Sequence, residues 1–258
     1  MIDAAKSRVN YLSPPLPVSM SEWYFNIANM DHFWVRRRFD VARRLADPIL
    51  RKVTHAAEIG CGNGVVQRSL EDTYGLEVAG FDLFDAALEK SVSRVSPLYR
   101  YNIHQRHPEF HQQFDLMVMF DVLEHIEDES AFLESVRFHM TDSGTLLINV
   151  PAHQALFSEY DRAAGHYRRY SMDALVRVVE RNHFRVRAIT YWGLPLVPLV
   201  LARKAIGALK RSQEKAYSSG FDPGSPFVNR SLALLARCEP LPQRICGTSV
   251  MAVLENGA

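Results

Sequence analysis

The sequence is poor in cysteine. Cys61, Cys238 and Cys246 are the only three thiols in 258 residues, and no CxxC spacing occurs. An odd count without that spacing excludes a disulfide framework and a cysteine-built zinc site, and it points to a reducing compartment. Long apolar runs are lacking too. The best candidate, Ile189 to Ala202, covers 14 residues and is interrupted by Pro195 and Pro198, whereas a spanning helix needs about 20. The N-terminus carries Asp3, Lys6, Arg8 and Pro14-Pro15 where a signal peptide has a continuous apolar stretch, so a cytoplasmic protein is expected. Nor is one charge in surplus. Thirty Lys and Arg stand against 29 Asp and Glu, a net charge of +1, which excludes a uniformly basic nucleic-acid binder. The near balance hides segregation, because Asp115 to Glu134 holds seven acids and no Lys or Arg. No internal repeat or low-complexity segment is present, and a 47% apolar share is that of a globular chain with a real core.

Residues 1–25, with Pro14, Pro15 and Pro17, read as an irregular arm. From Ile27 to Leu50 the apolar Phe33, Trp34, Val41, Leu45 and Ile49 recur near helical spacing among Arg36, Arg37, Arg38, Arg43 and Arg44. The next hundred residues alternate apolar runs with helical patterns, the signature of βαβ units and a parallel sheet. Strands are expected at His55 to Ile59, Leu76 to Phe81, Leu98 to Ile103, Phe114 to Phe120 and Thr145 to Val150. Helices are expected from Gly64 to Thr73, along Phe84, Leu88, Val92 and Val95, and along Ile126, Leu133, Val136 and Met140 with an end at Ser143-Gly144. A polar stretch follows Pro151. Ser171 then caps a helix bearing Met172, Leu175, Val176 and Val179, and strands close the pattern at Phe184 to Tyr191 and Thr248 to Leu254. Between these two strands lies an insertion, Trp192 to Cys246. It starts apolar, continues basic at Arg203, Lys204, Lys210, Arg211 and Lys215, and holds a turn-rich region from Ser218 to Pro226.

Glu58-Ile59-Gly60-Cys61-Gly62-Asn63-Gly64 closes the first expected strand and opens a helix, so the backbone must turn sharply and leave room for a ligand. The spacing is GxGxG, not the GxGxxG of dinucleotide binding. The second strand ends at Asp82, eighteen residues past Gly64, where a carboxylate can accept both hydroxyls of a ribose or cap the following helix. Glu58 disfavours a pyrophosphate and favours a cationic group.

These residues, with Phe114 to Val118 leading into Asp121-Val122-Leu123-Glu124-His125-Ile126 and with Gly144 to Pro151, resemble a class I S-adenosylmethionine-dependent methyltransferase over residues 25–192 and 247–255. The resemblance implies an α/β, Rossmann-like, doubly wound and mostly parallel seven-stranded sheet with an antiparallel last strand, an N-terminal helical cover and a helical insertion before that strand. It implies S-adenosylmethionine (SAM) as cofactor, with Glu58, Gly60, Cys61, Gly62 and Gly64 near the methionine part and Asp82 with Leu83 at the ribose. Asn102, Ile103 and Phe120 would flank the adenine, although many relatives carry an aspartate at the position of Asn102.

Methyl transfer is an in-line displacement from a sulfonium, so the protein chiefly aligns an acceptor and adds a base when that acceptor must lose a proton. Asp121-x-x-Glu124-His125 resembles an element of ubiquinone-pathway O-methyltransferases whose groups can hold a divalent metal. The alternative is that Glu124 and His125 cap the next helix, and no metal is assigned, with His125 retained as a candidate base. Pro151 to Ser171 resembles a segment of a bacterial subset of the family. Its His153 and His166 are candidate bases, and its Tyr160, Arg168, Arg169 and Tyr170 are candidate acceptor contacts, the arginines suiting an anionic group. A structural lid with Asp161 paired to Arg168 or Arg169 is the competing reading. His32-Phe33-Trp34-x-x-Arg37 resembles the cover helix of that subset, which places Trp34 at the acceptor and Arg37 at the methionine carboxylate.

The expected organisation is an arm and cover over residues 1–50 and a methyltransferase domain over 51–258 carrying the insertion at 192–246. The expected function is O-methylation of a small-molecule or lipid-linked acceptor, with peripheral membrane contact through 192–215, a homodimer contact or a lid as the roles open to the insertion. A non-catalytic membrane- or partner-binding protein on the same scaffold, and an NAD-dependent dehydrogenase, are the alternatives. The dehydrogenase is disfavoured by the GxGxG spacing.

Overall fold

The structure, a computed structural model, describes residues 8–16, 29–209 and 223–257. Eight strands form one sheet: β1 (Val9–Tyr11), β2 (Ala56–Ile59), β3 (Val78–Asp82), β4 (Leu98–Arg100), β5 (Phe114–Phe120), β6 (Met140–Pro151), β7 (Phe184–Trp192) and β8 (Ser249–Asn256). Their order across the sheet is β1-β4-β3-β2-β5-β6-β8-β7. All neighbours from β1 to β6 are parallel, and β8 runs antiparallel between β6 and β7. The order reverses between β2 and β5, so loops at the carboxyl ends of these strands face a natural ligand crevice.

The apolar runs form central strands because both faces of the sheet are covered. Leu116, Met117, Val118 and Met119 in β5 are all fully buried. On one face α1 (Phe33–Leu50) and α2 (Val65–Tyr74) contribute Val41, Ala42, Ala46, Val66 and Leu70. On the other, Phe132, Leu133 and Val136 from one helix, Glu129–His139, meet Leu175 and Val179 from another, Met172–Arg181. With α3 (Asp85–Glu89) and α5 (Glu159–Ala163) in their chain positions, these two are α4 and α6. Ser171 caps α6 as expected, accepting from the Ala174 N–H at 3.1 Å.

Three local expectations are corrected. Part of the arm is the edge strand β1, the eighth strand, paired with β4. Three residues carry too little alternation to announce a strand, and the open edge of β4 supplies the order. The stripe from Phe84 to Val95 is helical only as far as Glu89. Beyond it the Glu71 carboxylate accepts the N–H groups of Arg94 and Ser96 at 2.8 and 3.1 Å and the hydroxyls of Ser93 and Ser96 at 2.6 Å each, which holds the chain in a non-helical turn. Ser143-Gly144 is no helix end, because α4 stops at His139 and β6 begins at Met140.

The insertion supplies α7 (Val197–Leu209) and α8 (Pro226–Leu235). Pro198 falls in the first turn of α7, where its missing N–H has no helical partner to lose. Lys210, Arg211 and Lys215, and residues 218–222 of the turn-rich region, lie outside the described residues. No helix among the described residues is long and apolar enough to cross a membrane.

Candidate active site

The loop after β2 turns through three glycines with positive φ, +68° at Gly60, +54° at Gly62 and +75° at Gly64. A Cβ on Gly60 would stand 2.5 Å from Val122 Cγ2, and one on Gly64 would stand 2.4 Å from Ser91 Oγ. Conformation and space both demand glycine here. Asp82, at the end of β3, ties this loop to its own. One carboxylate oxygen accepts the Gly62 N–H at 2.8 Å, and the other accepts the N–H groups of Leu83 at 2.7 Å and Phe84 at 2.9 Å. The two readings of Asp82 are thus compatible, since a carboxylate offers about four lone-pair directions and three are used by the backbone. Burial raises its pKa against the pull of those three donors.

Glu58 is buried, and its Oε2 has no hydrogen-bond partner. Burial pushes its carboxyl up to about 8, opposed by the Arg38 charge and reinforced by Asp82. Arg38 pairs with Asp121 and lies over the Phe120 ring at 5.1 Å. Asp121 also accepts from Asn149 Nδ2 at 2.6 Å, Asn149 Oδ1 accepts from Trp192 Nε1 at 2.7 Å, and Trp192 packs on Trp34 with ring centroids 4.3 Å apart. A continuous polar and aromatic chain therefore joins the cover helix to the ends of β5, β6 and β7.

Arg37, expected at the cofactor, is instead engaged 2.9 Å from Glu239 of the insertion, with both side chains buried. Glu239 also accepts the N–H groups of Gly193 and Leu194. Arg38, next to Arg37 in the chain, is the arginine that pairs with Asp121 and whose charge acts on Glu58, and no feature of three consecutive arginines singles it out. Asn102 caps the turn 103–105, accepting the His104 N–H at 3.0 Å, while Ile103 and Cys61 are buried. Burial raises the Cys61 thiol well above its ordinary range.

Beyond β6, residues 165–170 are laced onto the Glu124 segment. The Tyr167 N–H donates to the Glu124 carbonyl at 2.8 Å, and Arg168 pairs with Glu129 at 2.7 Å and donates to the Glu127 carbonyl at 3.1 Å. The Tyr170 hydroxyl, buried, donates to Glu129 at 2.6 Å. Asp161, fully buried, accepts from His166 Nδ1 at 3.0 Å and Arg169 Nε at 2.8 Å. Burial raises the Asp161 carboxyl, but His166 and Arg169 together hold it below its usual range. Arg168, Arg169 and Tyr170, expected to touch the acceptor, are engaged by the protein itself. Tyr160 lies under the Arg203 guanidinium at 4.6 Å, which brings α7 against α5.

The three candidate histidines do not converge. His166 meets His125 edge to face, with centroids 4.6 Å apart. His153, at φ +59°, stacks on Tyr191 at 4.7 Å and approaches Cys246 Sγ at 3.5 Å. Glu124, His125 and His166 each place a donor atom within 4.8 Å of the other two. Glu124 is fully buried and both its carboxylate oxygens lack partners. Burial, reinforced by Asp121, raises its carboxyl well above the usual range, while burial and His166 lower His125 to about 4. Among the described residues this cluster has the donor set to hold a cation, and Glu58, the glycine loop and Asp82 have the cradle and charge for a cationic nucleoside cofactor.

Over residues 23–189, more than half its length, the chain matches the family described as a methyltransferase domain. It belongs to that family, and it is a class I S-adenosylmethionine-dependent methyltransferase. No curated protein matches the chain. Among solved structures, a SAM-dependent methyltransferase from Archaeoglobus fulgidus is similar with a TM-score of 0.52 at 16% identity, over 85% of this chain and 94% of that one. A methyltransferase of the same dependence from Mesorhizobium loti gives 0.52 at 13%, over 88% and 98%. Phosphoethanolamine N-methyltransferase 2 of Haemonchus contortus, solved with SAM, gives 0.55 at 15%, over 88% of this chain and 56% of that one.

Proposed function

We propose that this methyltransferase transfers the SAM methyl group to a hydroxyl oxygen of a small or lipid-linked acceptor. The cofactor lies along the glycine loop, with its ribose at Asp82 and its cationic end toward Glu58. The acceptor enters on the side of the lid. In the transfer the acceptor oxygen forms its bond to the methyl carbon as the carbon–sulfur bond breaks, S-adenosylhomocysteine leaves, and the hydroxyl proton passes to the cluster around His166. The observation that carries this reading is the contact between Asp161 and His166 Nδ1 at 3.0 Å, because a buried carboxylate there fixes Nδ1 as a donor and leaves Nε2 as the nitrogen with a lone pair.

A lipid-linked acceptor is supported by the insertion. Leu199 and Leu201 on α7 and Phe227 and Leu234 on α8 are exposed, and Arg230, Arg237 and Arg244 are the cations nearby in the chain. The one acid between residues 223 and 247, Glu239, is buried against Arg37. Such a surface suits peripheral contact with an anionic membrane.

The test is transfer of a labelled methyl group to a panel of phenols, alcohols and amines. His166→Ala is expected to lower turnover on hydroxyl acceptors at least tenfold with little change in SAM affinity. Methylation confined to amines, or equal loss of turnover and SAM affinity in that variant, would refute the reading. Co-sedimentation with vesicles containing phosphatidylglycerol, and not with phosphatidylcholine alone, is expected if the acceptor is membrane-borne.

A further inference from the structure

We infer that the arm strand β1 positions the adenosine end of the cofactor site, with Ser13 and Arg100 as the positioning residues. The inference rests on the proposed placement of the ribose at Asp82 and extends it to the next loop along the sheet edge.

The loops concerned leave the sheet side by side. β1, β4 and β3 are parallel neighbours, with Tyr11 opposite Arg100 and Arg100 opposite Asp82, so the residues after each strand emerge at the same carboxyl edge. The Tyr101 N–H donates to the Asp82 carbonyl at 3.0 Å, which keeps the chain leading to Asn102 against the Asp82 loop.

Ser13 lies 89 positions before Asn102 and is buried against it. Each of its polar groups is used there. Its hydroxyl accepts the Asn102 N–H at 2.7 Å and donates to Gln105 Oε1 at 2.8 Å. Its N–H donates to the Arg100 carbonyl at 3.0 Å, and its carbonyl accepts from Arg100 Nε at 2.8 Å. The two hydroxyl bonds grip both ends of the turn 103–105 that Asn102 caps. Arg100 carries the link to the ribose loop, because its Nη1 pairs with Asp85 at 2.6 Å while its guanidinium lies over the Tyr11 ring at 4.5 Å. Val9 adds a contact to the glycine loop, in a small apolar cluster with Cys61, Leu88 and Leu98.

The arm contributes little to the core. Only Val9 of the three residues in β1 is buried, while Asn10, Tyr11 and the following Leu12 are exposed. Such an edge segment opens at far lower cost than the whole fold. Its polar bonds, by contrast, converge on Arg100 and the Asn102 turn, and directional bonds fix where a turn sits more than they add stability. A cofactor that needs this turn in place favours the docked arm, and by linkage the docked arm favours the cofactor by the same factor.

The experiment is amide hydrogen exchange of the full chain, followed by NMR with and without S-adenosylhomocysteine, together with calorimetry of S-adenosylhomocysteine and of adenosine on variants. The N–H groups of Leu12 and Ser13, which donate to the Arg100 carbonyl, are expected to exchange about fivefold or more slowly with the ligand bound. Ser13→Ala should weaken both ligands by the same factor, about tenfold. Without ligand it should melt with the wild type, because the arm opens before the rest of the fold. Ser13→Thr, which keeps the hydroxyl, should restore the affinity, and Arg100→Gln should lower it as Ser13→Ala does. A Ser13→Ala protein that melts lower yet binds S-adenosylhomocysteine as the wild type does would make the arm purely structural and overturn the inference. So would a loss for S-adenosylhomocysteine without one for adenosine, which places the effect at the methionine end. The exchange measurement uses the wild type and stands if a variant fails to fold. Slowing at Leu83 and Phe84 but not at Leu12 and Ser13 would overturn the inference and leave the ribose placement standing, and slowing at none of the four would overturn both.

Discussion

Arg37 Nη2 stands 2.9 Å from Glu239 Oε1 across 202 positions of sequence, with both side chains buried. The pair fastens the insertion to the cover helix, and Glu239 extends the link by accepting from the backbone of Gly193 and Leu194. Removing one partner leaves a buried charge without compensation. Glu239→Ala is expected to lower unfolding free energy by about 3 kcal/mol. The double change Arg37→Leu with Glu239→Gln, which keeps an amide oxygen to accept from the Gly193 and Leu194 backbone, should recover most of the loss. Urea unfolding measures both, and a single variant within about 0.5 kcal/mol of wild type would show that the pair holds little.

Asp82 has a role in shaping the loop and a proposed role in binding. Asp82→Ala deprives three N–H groups of their acceptor, at Gly62, Leu83 and Phe84, and it removes the proposed ribose contact. A loss of roughly 1.5 to 3 kcal/mol per charged contact lowers SAM affinity by at least tenfold. Calorimetry with SAM decides it, and unchanged affinity in a folded variant would remove Asp82 from the cofactor site.

The Glu58 carboxyl, pushed up to about 8 by burial, binds its proton more tightly in the folded chain than in the unfolded one. Between the ordinary value of 4.5 and about 8 the native state therefore holds more protons, and this group's contribution to stability falls as pH rises through that window. Glu58→Gln should flatten that part of the stability profile. A sulfonium or ammonium group beside Glu58 favours the ionised form, so SAM binding at pH 6 is expected to release protons. Calorimetry in two buffers of different ionisation enthalpy detects the release, and its absence in the wild type would place the cofactor's cation elsewhere.

Glu71 shows the opposite sign. Burial raises its carboxyl, but the hydroxyls of Ser93 and Ser96 and the N–H groups of Arg94 and Ser96 outweigh burial and bring it down to about 2. Its contribution is fully present above about 4.5 and is lost as pH falls toward 2. Glu71→Gln should melt lower than wild type at pH 7, with the difference shrinking at pH 3. Thermal unfolding at the two pH values checks this, and an equal gap at both would assign the loss to packing alone.

Much of the core was legible because the relevant signals are local. Phe114 to Phe120 is an uninterrupted apolar run, and it is β5 at those same bounds. The glycines at 60, 62 and 64 announce a turn whose backbone no side chain tolerates, and Asp82 follows at the end of the next strand. Other features depend on distant partners. Arg37 and Arg38 are neighbours on one helix, about 100° apart around its axis, both are buried, and the distant carboxylates that reach them, Glu239 and Asp121, decide what each one holds. His153 and His166 share one polar stretch, yet Tyr191 and Cys246 hold the first while Asp161 and His125 hold the second. Val9 to Tyr11 became a strand because β4 offered an open edge.

The sequence by itself determined the class: alternating apolar periods fix a parallel sheet with covering helices, and glycines followed by an acid at a strand end fix where the loops after β2 and β3 meet. Only the tertiary structure decided which side chains around the Glu124 turn are paired with one another. A charged or imidazole side chain acts according to which partner reaches it, and those partners come from segments that meet only when the sheet is assembled. Asp161, silent as a single acidic residue in a polar stretch, is the case in point. Buried between His166 and Arg169, it binds both side chains at once and holds the imidazole beside Glu124 and His125.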